Sequence, residues 1–170
     1  MSSTVYTITI PTFINGLQTL SHILKKGEEY ATEKGIALDT LLNARLYEDM
    51  KPLSFQIFAT VLNIRKTIAR TQLVDPPAPL PEAKTYQDLY TSIDAALAEI
   101  QQLTPAGFAD KEQTAFKAPL GDHEIEFTPE SYALNFGLPN VYFHITTAYA
   151  ILRAQGVPLG KLDFLKNFLS

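Results

Sequence analysis

Phe136–Arg153 reads FGLPNVYFHITTAYAILR. Pro139 suits a first helical turn, and apolar residues then recur at helical spacing. With Val141 as zero and about 100° per residue, Ile145, Ala148 and Leu152 all fall within about 40° of it. His144 falls about 60° to one side, at the edge of the stripe. An imidazole there stands where a core meets solvent or a cavity. That is a place for a general base, a ligand contact or a buried hydrogen bond.

Working outward, three more segments carry the same period. About Thr12–Glu33, Phe13, Leu17, Leu20, Leu24 and Ala31 share a face, and Gly35 is the stop. About Pro52–Leu73, the stripe is Leu53, Ile57, Val61, Ile64 and Ile68. About Tyr86–Leu103, Thr85 and Asp88 form a capping box and Pro105 closes the segment. The helix carrying His144 starts at the Thr128-Pro129 cap, runs to about Gln155 with interruptions at Gly137 and Pro139, and stops at Gly156. Asp39 opens a short turn between the first two helices, and Asp49 is in position to cap the second. Glu112–Phe127 alternates around Gly121-Asp122 as a hairpin. VDPPAPLP at Val74–Pro81 is a stiff extended connector, long enough for a crossover. The apolar tail, Pro158–Ser170, docks on the bundle.

Four amphipathic helices within 170 residues imply one all-α bundle domain spanning 1–170. A chain that is 46% hydrophobic and 19% charged is an ordinary globule, without a membrane span. Cysteine is absent, which excludes disulfides and thiolate chemistry. The net charge of −4 and the lack of a basic stripe argue against nucleic acid. The start lacks a secretory leader's pattern, so the default location is cytoplasmic.

LLNARLYEDMKPLSFQI (41–57) and LPNVYFHITTAYAILRAQGVPLGKLDFL (138–165) together resemble an uncharacterised family of bacterial and fungal proteins of the DinB/YfiT-like superfamily. The resemblance implies a DinB-like four-helix bundle with a small β-hairpin between helices three and four. Better-known members of the superfamily hold a divalent ion with one histidine on the second helix and an H-x-x-x-H pair on the last, some for thiol-dependent transfer. Here His144 stands at the first position of such a pair, Ala148 at the second, and the second helix offers only Gln56. His22 lies about 180° from the first stripe, on the solvent side, and His123 at the hairpin tip. No metal and no cofactor are expected.

His144 is the side chain that titrates near neutrality unaided, and so the candidate acid or base. Asn140 shares its flank. Gln56, Thr60 and Asn63 form a polar line on the second helix, which would face His144 across a pocket. Arg45 and Tyr47 are placed to reach over the bundle mouth, Arg45 holding an anion or pairing with Glu48 or Asp49, and Tyr47 polarising a carbonyl. The expected function is proton transfer (isomerisation, cyclisation or elimination) on a small hydrophobic or aromatic ligand. The rivals are a non-catalytic dimeric binding module and a superfamily-type metal transferase. Phe55, Phe58 and Phe143 fall off the core stripes, which points to a homodimer unless the hairpin and tail cover them.

Overall fold

The computed structural model describes residues 4–169; Met1–Ser3, where the leader reading begins, and Ser170 lie outside them. Helices α1 (Thr4–Lys34), α3 (Leu53–Thr71), α4 (Tyr86–Ile100) and α6 (Leu138–Ala154) form the bundle. A short helix α2 (Leu38–Leu42) follows α1. The hairpin β1 (Phe116–Leu120) and β2 (His123–Phe127) leads into α5 (Pro129–Tyr132), and α7 (Lys161–Leu165) lies in the tail.

Helix α1 packs on α4 and α6, and α3 packs on the same two, so α1 and α3 stand on one diagonal. Side-chain pairs fix the directions. Tyr6 donates to the Leu103 carbonyl at 3.3 Å and Tyr86 to the Leu24 carbonyl at 2.9 Å, so α1 and α4 are antiparallel. Ile145 sits over Gly16 and Leu152 over Gly27, so α1 and α6 run together. His144 meets Gln56 and Gly137 meets Thr67, so α6 opposes α3. The order is therefore up, down, down, up. Parallel α3 and α4 require the chain to travel back along the bundle between them. Helix α3 has 19 residues. At the rise of an α-helix that is a length of about 28 Å, which the extended, proline-rich path of residues 72–85 has ample reach to cover.

The interior is aliphatic, with Leu17, Leu24, Ile57, Ile64, Leu89 and Ile145 fully buried among others. Each such side chain contributes about 1.5–3 kcal/mol by leaving water. Helix α1 already includes Thr4, rather than starting near Thr12. TVYTITI alternates like a strand, but Val5 and Ile10 are buried against the bundle, and packing overrides local preference. Pro11 lies on the exposed side of α1, where its missing N–H is tolerated. Asp49 does not cap α3: Pro52 is the N-cap, without a side-chain bond, and the Leu53 N–H donates to the Ala44 carbonyl at 2.9 Å. The capping box of Thr85 and Asp88 is formed.

The His144 helix is continuous from Pro129, but Ala133–Gly137 form a wide π-turn, with the Leu138 N–H reaching the Ala133 carbonyl. Pro139 explains it. An ordinary turn would press its ring on the carbonyl four residues back, and widening the turn moves that carbonyl away. Gly35 and Gly156 end α1 and α6 at φ 65° and φ 89°. That is the left-handed conformation their stop positions require. The hairpin covers the start of the last helix, where Phe127 meets Tyr132 edge-on at 5.1 Å. The tail covers α1, with Phe164 stacked on Phe168 at 6.0 Å.

Candidate functional site

The seam between α3 and α6 brings together the two residues that the sequence placed on facing flanks. Gln56, 2% exposed, sits in the first turns of α3, and His144 lies half-buried on α6. The His144 Nδ1 lies 2.8 Å from Gln56 Oε1. The other end of the amide, Nε2, donates to the Lys51 carbonyl at 3.0 Å. A carbonyl can only accept, so the NH2 group must face Lys51 and the oxygen must face the imidazole. That oxygen can only accept in turn, so Nδ1 carries the proton. In the neutral ring, Nε2 is then the lone-pair nitrogen. No described residue hydrogen-bonds to it, and no buried side-chain nitrogen or oxygen among the described residues lacks a partner, so Nε2 is not sealed from solvent.

The sequence explains why the Lys51 carbonyl is available. A residue before proline is held extended, outside the helix ladder, which leaves its carbonyl for a side chain of the following turn. Gln56 lies on that turn. The pattern Lys-Pro-x-x-x-Gln is the signal that reading the stripes alone missed.

Two aromatic rings flank the imidazole edge-on, Phe55 at 6.2 Å and Phe143 at 5.2 Å. Burial among them lowers the His144 pKa from its ordinary 6.5, so the ring is neutral at pH 7. A neutral imidazole with a fixed tautomer and an open lone pair can accept a proton.

The other expected residues divide. Thr60 is buried and donates to the Gln56 carbonyl at 2.8 Å, one turn beneath the pair. Asn63 and Asn140 bond carbonyls of their own helices, Ala59 at 2.8 Å and Phe136 at 3.0 Å. They do not converge with His144 on a hydrogen bond. Arg45 pairs with neither Glu48 nor Asp49. Its Nη1 donates to the Met50 carbonyl at 2.7 Å and ties down the loop before α3. Tyr47 stands in solvent on that loop, 65% exposed. Arg45, Lys51, Phe55 and Phe58 border a cleft of about 210 Å³, whose lining includes neither Gln56 nor His144. Leu46, Tyr142, Phe143 and Thr147 border a shallower apolar depression.

The donors do not fit a three-histidine metal ion. Gln56 stands where α3 would supply a ligand, its oxygen is occupied by His144, and Ala148 follows one turn on. His123 is at the hairpin turn. His22 is not on a bare face as its helical angle suggests. The tail covers it, and its Nε2 lies 2.9 Å from Asp163 Oδ1, which Lys26 Nζ also meets at 2.9 Å. Among the described residues no group of three or more histidine, cysteine or acidic side chains is placed to hold an ion. No helix among them is long and apolar enough to cross a membrane.

A solved structure similar to this chain is the crystal structure of a DinB family member protein from Shewanella denitrificans. It is 32% identical, with a TM-score of 0.86 over 94% of this chain and 90% of that one. No curated protein matches the chain. The family described as a domain of unknown function, DUF1993, matches residues 5–165, from the first turns of α1 to the end of α7. The chain belongs to that family, and its fold is the DinB-like helical bundle.

Proposed function

We propose that this protein acts on a small hydrophobic or aromatic molecule, with His144 Nε2 as the general base. The observation that carries the reading is the Lys51–Gln56–His144 chain, which fixes the tautomer and leaves the basic nitrogen open. Burial supports it by keeping the imidazole unprotonated at neutral pH. Such a base suits isomerisation, cyclisation or elimination, in which a carbon-bound proton is removed next to a carbonyl. A positioned base is worth about 10²–10⁴-fold in rate.

Deuterium uptake tests this without knowledge of the product. The protein is incubated in D2O with enolisable aryl ketones and β-keto esters, and loss of the acidic C–H signal is followed by proton NMR. Wild type is expected to accelerate exchange of at least one probe, with the acceleration abolished in His144→Gln. Equal exchange by the two proteins would remove His144 from the role.

A second reading is a dimeric binding module, favoured by the exposed Leu46 (45%), Tyr47 (65%) and Phe143 (58%). The hairpin and tail cover other aromatics but leave these open. Sedimentation of wild type against Phe143→Asp separates the readings: a dimer split by the substitution favours the module, and a monomer in both removes it.

A further inference from the structure

We propose that the cleft of about 210 Å³ between the loop before α3, the first turns of α3 and the end of the proline connector binds a small aromatic monocarboxylate. The inference concerns binding at this cleft and stands apart from the reading above, since His144 is not among the residues that line it.

Its walls pair charge with aromatic surface. Arg45 and Lys51 bring two cations, Phe55 and Phe58 bring two rings, and Glu82 brings one carboxylate. None of the three charged groups makes an ion pair within 4.0 Å among the described residues. Arg45 uses Nη1 on the Met50 carbonyl, which fixes the guanidinium while its remaining donors stay open. The Lys51 ammonium lies 5.7 Å from the centre of the Phe55 ring. The attraction of a cation to an aromatic face holds it there. Two cations in a cleft that also has aromatic walls match a carboxylate joined to a ring.

Size agrees. An apolar cavity of about 150 Å³ takes benzene, so this cleft has room for one ring and one carboxylate. Glu82 sets the selectivity. A second anionic group on the ligand would meet its charge, so a dicarboxylate or an aryl phosphate is disfavoured relative to a monocarboxylate.

The cleft is also wired to the base. Phe55 is its wall on one side and presents its ring to His144 on the other, at 6.2 Å. The Lys51 backbone holds Gln56, which holds His144. Phe55 and Lys51 thus border the cleft and also hold the histidine in place, while His144 itself is not part of the cleft's lining.

The test is an NMR titration with phenylacetate, using benzyl alcohol and phthalate as controls. Phenylacetate is expected to shift the amides of Arg45, Lys51 and Phe55 saturably, and to bind at least tenfold tighter than either control. Lys51→Gln keeps the backbone carbonyl and the loop, and should weaken binding severalfold. Arg45→Gln/Lys51→Gln should weaken it tenfold or more. Glu82→Gln should tighten it or leave it unchanged, and should narrow the gap to phthalate. Benzyl alcohol binding as tightly as phenylacetate, or a double variant within twofold of wild type, would overturn the proposal. His144→Gln separates the two ideas, because it is expected to bind phenylacetate like wild type even where deuterium exchange is lost. Binding with no exchange in either protein sinks the base and keeps the cleft; exchange with no phenylacetate binding sinks the cleft and keeps the base.

Discussion

Gln56 and His144 meet at 2.8 Å across the α3–α6 seam, and the Lys51 carbonyl at the far end of the amide leaves the histidine one permitted tautomer. The amide is buried, so its two ends cannot be exchanged for water at little cost.

Replacing Gln56 therefore has two separable effects. Gln56→Leu removes both bonds and strands a donor and an acceptor, at a cost of about 1–3 kcal/mol in chemical denaturation. Gln56→Glu puts a carboxylate beside the imidazole and should raise the His144 pKa above the wild-type value. Imidazole nitrogen shifts in ¹⁵N NMR read both the tautomer and the titration. Wild type should show the proton on Nδ1; a spectrum with the proton on Nε2 would refute the assignment.

Stability should depend on pH through the same ring. The folded pKa of His144 lies below its ordinary 6.5, so the unfolded chain takes up the proton first as pH falls. The contribution is fully present above pH 6.5 and is lost as the pH drops from there through the folded value. Denaturant midpoints at pH 7.5 and pH 5 should fall further for wild type than for His144→Gln, which has no such proton to bind. Parallel curves for the two would contradict the depressed pKa.

Asp163 clasps the tail to α1. Burial works to raise its carboxyl, but the Gly160 N–H, Lys26 and His22 outweigh this and hold it well below the usual 3.8. Its contribution is present above about pH 4 and is lost in acid as the carboxylate protonates. Asp163→Asn removes the charge and weakens the cap of α7, for a loss of about 1–2 kcal/mol. Hydrogen exchange should accelerate over 160–168 with little change in α3 or α4; uniform acceleration everywhere would show that the clasp is not local.

Gly137 lies where α6 touches α3. A Cβ there would stand 2.5 Å from Thr67 Cγ2 and 2.6 Å from its Oγ1. Gly137→Ala should cost about 1–3 kcal/mol by overpacking. Thr67→Ala removes both offending atoms, so the double variant should recover part of that loss. Strict additivity in a double-mutant cycle would mean that the two sites do not touch.

The bundle was legible because its stripes are long and regular, and burial follows them. The facing of Gln56 and His144 was legible because each lies at the edge of its own stripe. What escaped was set by contacts distant in sequence. Val5 and Ile10 extend α1 only because the rest of the bundle receives them. His22 looked solvent-facing because the residue that covers it, Asp163, comes from the far end of the chain. Arg45 looked poised for an ion pair, yet a nearby backbone carbonyl needed a donor. Asn63 and Asn140 looked convergent, but amides on helices readily close on their own preceding turn.

The diagonal placement of α1 and α3 bears on how the molecule is made. As the chain emerges from synthesis, α1 has neither of its two main neighbours until α4 arrives, and α3 first finds a main partner in α4, across the whole extended connector. The amino-terminal half holds one diagonal of the bundle and the carboxy-terminal half holds the other. Neither half encloses a core, so the long-range closures come late and folding is slower than for a plain up-and-down bundle of this length. Cutting the connector should give two fragments that are disordered apart and helical together.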